Sequence, residues 1–319
     1  MAAGETSMKI LVAGGAGYVG SRLVPALLEH GHSVDVVDLL WFGNHLPGGI
    51  GLYNRDVFDL TESDLEPYER VVFIAGMSSV PTCELSPGKN FILNTSAPAY
   101  LAYIAKQAHV KRFVYASTCS IYEYLTDRIC VEEDPPICKH PYGISKMLGE
   151  QAVLHLQDEN FSVITLRKGT VCGYSPRMRL DLIINAMYKS AVRDGMITAS
   201  NPEIWRPILG IADAAQAYVK AVEADMGISG AFNIASENYT VGQIAEIMAN
   251  LMGVKLNTTT NPDKRNYKIS IEKAKSILAF NPQQRVEQIV QELAANVDKF
   301  SDWDNPEYYN VKMVERLGI

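Results

Sequence analysis

Apolar residues first appear as a short unbroken run over 9–13, then at helical spacing over 19–30, then as a second run over 33–38. Such runs read as buried strands, and a 3.6-residue period reads as an amphipathic helix. The rhythm continues with strands predicted over 51–55, 71–75, 112–116 and 163–167, and with helices over 90–109 and 142–157. Strands separated by helices need crossover connections, which predicts an α/β chain with a doubly wound parallel sheet covered on both faces. Beyond residue 167 the pattern loosens. Pro176, Pro202, Pro207, Pro262 and Pro282 punctuate shorter elements, with helices predicted over 180–194, 212–223, 241–252, 271–278 and 286–300. A strand near 232–235 is expected to return to the main sheet. The second half therefore reads as a smaller lobe, with the chain crossing between the two more than once.

Length and composition narrow the function. The chain has 319 residues, 47% of them hydrophobic, enough for one α/β unit or two closely packed domains. Its net charge of −7 and scattered basic residues argue against a nucleic-acid partner. No run approaches the roughly 20 apolar residues that span a bilayer. The first seven residues lack a basic stretch followed by an apolar one, so they read as a short mobile extension rather than a secretion signal. Five cysteines without CxxC or metal-type spacing fit reduced thiols in a cytoplasmic protein, with no metal site expected.

Candidate chemistry begins where the first strand passes into the first helix. Glycines at 14, 17 and 20 permit a tight turn, a close approach of backbone to a pyrophosphate, and close helix–strand packing. The helix N-terminus then offers unpaired N–H groups and a positive dipole end to the phosphates. Asp38, ending the second strand, has two readings: a turn former, or a carboxylate for the adenosine ribose hydroxyls. Residues 39–41 carry no arginine to receive a 2′-phosphate, so NAD is expected rather than NADP. Asp56, after the third strand, is either an adenine contact or half of a surface ion pair.

Tyr142 and Lys146 stand four residues apart, on one face of a predicted helix. A nearby ammonium favours the phenolate and so is expected to lower the tyrosine pKa. Thr118 follows the strand over 112–116, on the carboxyl edge where an open parallel sheet holds its ligand.

Taken together, the chain resembles an extended short-chain dehydrogenase/reductase of the nucleotide-sugar epimerase/dehydratase group. Gly14, Gly17 and Gly20 match that family's GxxGxxG, Tyr142 and Lys146 its YxxxK, and Ser117 with Thr118 its hydroxyl pair. The segment 72–76 is similar to the family's fourth strand, and Asn94 to its helix asparagine. Farther on, 206–213 is similar to its arginine-to-aspartate segment, while 175–181 and 262–267 resemble a subgroup acting on nucleotide-linked hexoses or heptoses.

The resemblance implies a Rossmann-like NAD-binding domain over 1–175, with returns near 206–236, and an interleaved substrate-binding lobe over 176–319. It implies cofactor contacts from Gly14, Gly17, Tyr18, Val19, Gly20, Asp38, Asp56, Val57, Ala75, Asn94, Tyr142 and Lys146. It implies substrate contacts from Ser78, Thr118, Thr170, Arg179, Arg206 and Arg265, with Arg206 and Arg265 on substrate phosphate. Tyr142 would take a proton from a sugar hydroxyl, usually at C4, while hydride passes to the nicotinamide. Long helices over 91–108 and 142–156 imply a homodimer.

The departures are informative. Dehydratases of the group carry Asp-Glu after the threonine, where Cys119 and Ser120 stand here. Cys119 has two readings, a proton donor or a small buried residue behind the site. Thr170 replaces an asparagine common in 4-epimerases, and Gly210 a histidine. The leading expectation is an NAD-dependent epimerase acting on a UDP-, GDP- or dTDP-linked sugar through a 4-keto intermediate. A 4-dehydrogenase or dehydratase shares the first step. A non-catalytic dinucleotide sensor would not need the intact Thr118, Tyr142 and Lys146.

Overall fold

The computed structural model describes residues 7–125 and 128–319, so the extension expected over 1–7 lies almost wholly outside the described residues. The chain opens with β1 (Lys9–Ala13), α1 (Gly20–Glu29), β2 (Ser33–Asp38) and β3 (Gly51–Asn54). Then come α2 (Glu62–Leu65), β4 (Arg70–Phe73), α3 (Val80–Leu85), α4 (Pro87–Phe91), a π-helical turn at Ile92–Ser96, and α5 (Ala97–Gln107). The middle of the chain holds β5 (Arg112–Thr118), β6 (Ile129–Cys130), α6 (Pro141–His155), β7 (Ser162–Lys168) and β8 (Thr170–Cys172). Next are α7 (Ile183–Asp194), β9 (Met196–Ser200), β10 (Trp205–Gly210), α8 (Ile211–Glu223) and β11 (Gly230–Ile234). The last elements are β12 (Glu237–Thr240), α9 (Val241–Met252), β13 (Lys255–Thr259), β14 (Lys268–Ile269), α10 (Glu272–Leu278), α11 (Val286–Ala295) and α12 (Asn310–Leu317).

Seven strands form a parallel sheet in the order β11-β7-β5-β4-β1-β2-β3. Every residue of β5 is buried, as a central strand covered on both faces requires. One face packs Leu23, Val24 and Leu27 of α1 and Tyr218 and Val222 of α8 over Val12, Val36 and Leu166. The other packs Leu101 and Ala105 of α5 and Val153 of α6 over Phe73, Phe113 and Val163. A separate core joins α7, α9 and α11 around Ile184, Met248, Leu293 and Phe300.

The chain re-enters the sheet through α8 and β11, which pairs with β7, whereas β10 lies in a three-stranded sheet with β8 and β12. The helix predicted over 90–109 is broken by the π-helical turn. The strand predicted over 71–75 stops at Phe73, because the chain turns away toward Gly76 at φ +119°. The helix predicted over 286–300 ends at Ala295, and a 3₁₀ turn follows. Strand order reverses beside β1, whose neighbours are β2 and β4. In such sheets the carboxyl edge at that reversal opens a crevice. Among the described residues no helix is long and apolar enough to cross a membrane.

Candidate active site

Two adjoining cavities occupy that crevice. The larger, about 650 Å³, is lined by Gly14, Gly17, Tyr18, Val19, Gly20, Ala75, Ser78, Thr118, Tyr142, Lys146, Thr170, Arg179, Arg206 and Arg265. The smaller, about 120 Å³, is lined by Asp38, Asp56, Val57 and Ala75 together with Leu39, Trp41 and Phe42. Two predicted residues reach neither. Asn94 is fully buried, its Nδ2 donating to the Met77 carbonyl at 2.9 Å and to Asn90 Oδ1 at 2.7 Å. Cys119 is fully buried too, its thiol donating to the Arg167 carbonyl at 2.9 Å, and burial pushes that thiol well above its ordinary range. The proton-donor reading of Cys119 is therefore corrected: the thiol is spent on backbone behind the site.

The glycine loop is shaped by close packing. A Cβ on Gly14 would lie 2.4 Å from the Ala75 amide nitrogen, and one on Gly20 would lie 2.2 Å from the Gly15 carbonyl. No side chain caps α1, whose N-cap Val19 and first residue Gly20 line the larger cavity. An uncapped helix N-terminus facing a cavity is an anion site. The structure shows Asp38 as a turn former and also brings it to the wall of the smaller cavity. Its oxygens accept from the Ala16 and Leu40 amides at 3.0 and 2.8 Å, fixing the turn, while it also lines the smaller cavity. Burial raises its pKa, and the two amides oppose that rise.

Pro141, at the first turn of α6, starts that helix with a pre-set φ. Tyr142 and Lys146 follow one turn apart. Lys146 Nζ sits 4.7 Å over the ring of Tyr115, a buried residue of β5. Thr118 accepts from the Ser120 amide at 3.1 Å, which holds its hydroxyl at the strand end. The lysine does not lower the tyrosine as expected. Burial pushes the Tyr142 phenol up to about 12, and the Thr118 hydroxyl and Arg179 charge oppose this only in part. Lys146 bears its own burial, which with the neighbouring Lys168 charge pushes its amine well below its ordinary range.

The arginines are held by carboxylates. Arg179 forms a bidentate pair with Asp181 at 2.9 and 3.1 Å and reaches Ser78 Oγ at 3.1 Å. Asp263 bridges Arg206 at 3.2 Å and Arg265 at 2.7 Å. Sequence reasoning passed over Asp263, Lys168 and Asn310, which also line the larger cavity. Lys168 had a signal, since it ends β7 directly opposite Thr118 in the parallel register. Its Nζ donates to Tyr218 Oη at 3.0 Å, and burial holds the amine at about 7.

Residues 10–235 match the NAD dependent epimerase/dehydratase family. The chain belongs to that family. The UDP-glucose 4-epimerase of Corynebacterium glutamicum is 28% identical over 301 residues, covering 86% of this chain and 91% of that protein. The UDP-glucose 4-epimerase of Lacticaseibacillus casei is 28% identical over 306 residues, covering 86% and 92%. A solved structure of MoeE5 in complex with UDP-glucuronic acid and NAD aligns with a TM-score of 0.79 at 25% identity, over 89% of this chain and 97% of that one. The glycine loop, the uncapped helix and the Asp38 pocket fit the dinucleotide that this epimerase/dehydratase family uses.

Proposed function

We propose that the protein is a nucleotide-sugar epimerase that inverts a hydroxyl-bearing carbon, C4, through a transient 4-keto sugar. NAD, when bound, supplies the acceptor and then the donor of hydride. Tyr142 takes the proton from the C4 hydroxyl and returns it, Thr118 hydrogen-bonds the reacting oxygen, and Lys146 holds the cofactor ribose. Asp38 and Asp56 take the adenosine half of the cofactor, and Arg206 and Arg265 the substrate diphosphate. The segment 176–319 supplies most of the sugar-nucleotide contacts, as a lobe over the domain 1–175. A UDP-linked sugar is favoured over GDP- and dTDP-linked ones by the relatives, which are UDP-glucose 4-epimerases.

One observation carries epimerisation over dehydration. The carboxylates lining the larger cavity are Asp181 and Asp263, and arginines hold both. Among the described residues no unpaired carboxylate lines the larger cavity beside Thr118 to protonate a leaving hydroxyl, because Cys119 points away and Ser120 is not acidic. Incubation with UDP-, GDP- and dTDP-hexoses, read by NMR and mass spectrometry, should give an epimer of unchanged mass. Loss of one water would instead establish the dehydratase.

We further propose a homodimer through α5 and α6, where Tyr103 and Leu148 are exposed, 52% and 38%. A cytoplasmic setting would keep the five free thiols reduced.

A further inference from the structure

Arg177, between β8 and α7, is only 2% exposed, yet it lines the larger cavity beside Gly17, Tyr18 and Val19. Its guanidinium lies 3.7 Å over the ring of Phe42, and its Nη2 donates to Asn310 Oδ1 at 2.7 Å. Its Nε is buried without a hydrogen-bond partner. Asp181, the first acid to act on it, is already held bidentately by Arg179. A buried cation with a neutral partner and an orphaned donor is costly unless an anion completes its shell. Burial accordingly pushes the guanidinium down to about 9. Phe42, on which it stacks, lines both cavities, so the guanidinium stands where the smaller cavity opens into the larger.

We propose that Arg177 is a phosphate-binding residue, reaching from the second lobe to clamp the dinucleotide diphosphate against the N-terminus of α1. The assignment rests on the NAD reading of the crevice and adds to it a contact from the other lobe. Phe42 sets the plane of the fork, and Asn310, the first residue of α12, sets its direction. Cofactor grip therefore depends on three segments distant in sequence. The stacked guanidinium suits two oxygens of one diphosphate better than a flexible ammonium would.

Calorimetry with NAD, ADP, adenosine and 2′,5′-ADP tests this on wild type, Arg177→Met and Asn310→Asp. Arg177→Met should weaken NAD and ADP by about 10- to 100-fold, the value of a charge-assisted phosphate contact. Adenosine affinity should stay unchanged, and the ligand-free melting temperature should hold or rise, because an unpaired buried charge has gone. Asn310→Asp keeps the arginine but gives it a carboxylate, so it should also weaken NAD and ADP while leaving adenosine affinity unchanged. Equal weakening of adenosine, or a fall in ligand-free melting temperature with NAD and ADP affinity intact, would leave Arg177 a packing residue and overturn the proposal. Selective loss of 2′,5′-ADP would assign the arginine to a 2′-phosphate and overturn it equally. If wild type binds neither NAD nor ADP, the dinucleotide reading itself fails.

Discussion

Tyr142 and Lys146 are the residues on which the chemistry turns, and burial governs both. The phenol rises to about 12 while the amine falls, so burial favours the uncharged form of each. Tyr142→Phe keeps the ring and removes the proton acceptor. Turnover on the true substrate should fall about 10²- to 10⁴-fold, or roughly 3–5 kcal/mol of barrier, with NAD affinity by calorimetry unchanged. Cys119→Ala should change turnover only a few-fold, since the thiol faces the Arg167 carbonyl; a loss of about 10²-fold or more would reinstate it as a proton-transfer group. The residue types were legible because the spacing of a tyrosine and a lysine on one helix face is local. Their electrostatics were not. They depend on what covers the site, and the covering groups, Arg179 from the segment before α7 and Lys168 from β7, lie farther along the chain.

At the scale of elements, α6 must stand close to the sheet for Tyr142 to meet Thr118. Gly149 allows this, for a Cβ there would lie 2.7 Å from Oη of Tyr115 in β5, and 2.3 Å from the Asn94 carbonyl in the π-helical turn. The same helix is anchored by a buried pair in which Arg167 of β7 reaches Glu150 at 2.7 Å. Breaking such a pair from one side leaves a charge uncompensated, so Glu150→Ala should destabilise the fold by about 3–5 kcal/mol. Chemical denaturation would show this as a lower midpoint. An unchanged midpoint would mean that water reaches Arg167. The long sheet strands and their helices were visible as apolar runs and periods. The π-helical turn was hidden because Ile92–Ser96 carries no proline or glycine to mark it within a helical stretch. The strands β8, β12 and β14 have only two to four residues, too short for alternation to register, and all of β13 is exposed.

For the whole molecule, the segments around Arg206 and Asp263, far apart in sequence, are joined by charge at the wall of the larger cavity. Asp263 is pushed down to about 2 by its hydrogen bonds and charge contacts with Arg265, with Arg206 adding to them against burial. A folded-state pKa below the unfolded one adds stability that is present above about pH 4 and is lost as pH falls toward 2. Asp263→Asn should therefore lower the thermal midpoint at pH 7, and its deficit should shrink as the pH is taken down to 3. A pH-independent deficit would show that the carboxylate charge is not what matters. If α5 and α6 form the subunit interface, light scattering at micromolar concentration should give twice the chain mass, and Tyr103→Glu should halve it. A monomeric wild type would remove that interface. What the sequence could not show is where the two halves meet: Asn310 and Arg179 donate to Ser78 Oγ at 2.9 and 3.1 Å, across residues that no local pattern connects. The central claim is that one carbon is oxidised and reduced again within a single closed site. A UDP-hexose carrying deuterium at C4 tests it most directly, with product analysed by NMR and mass spectrometry in ordinary water. The account predicts the C4 epimer with deuterium retained at C4 and no change in mass. Loss of the label to solvent, loss of water, or product inverted at another carbon would contradict it.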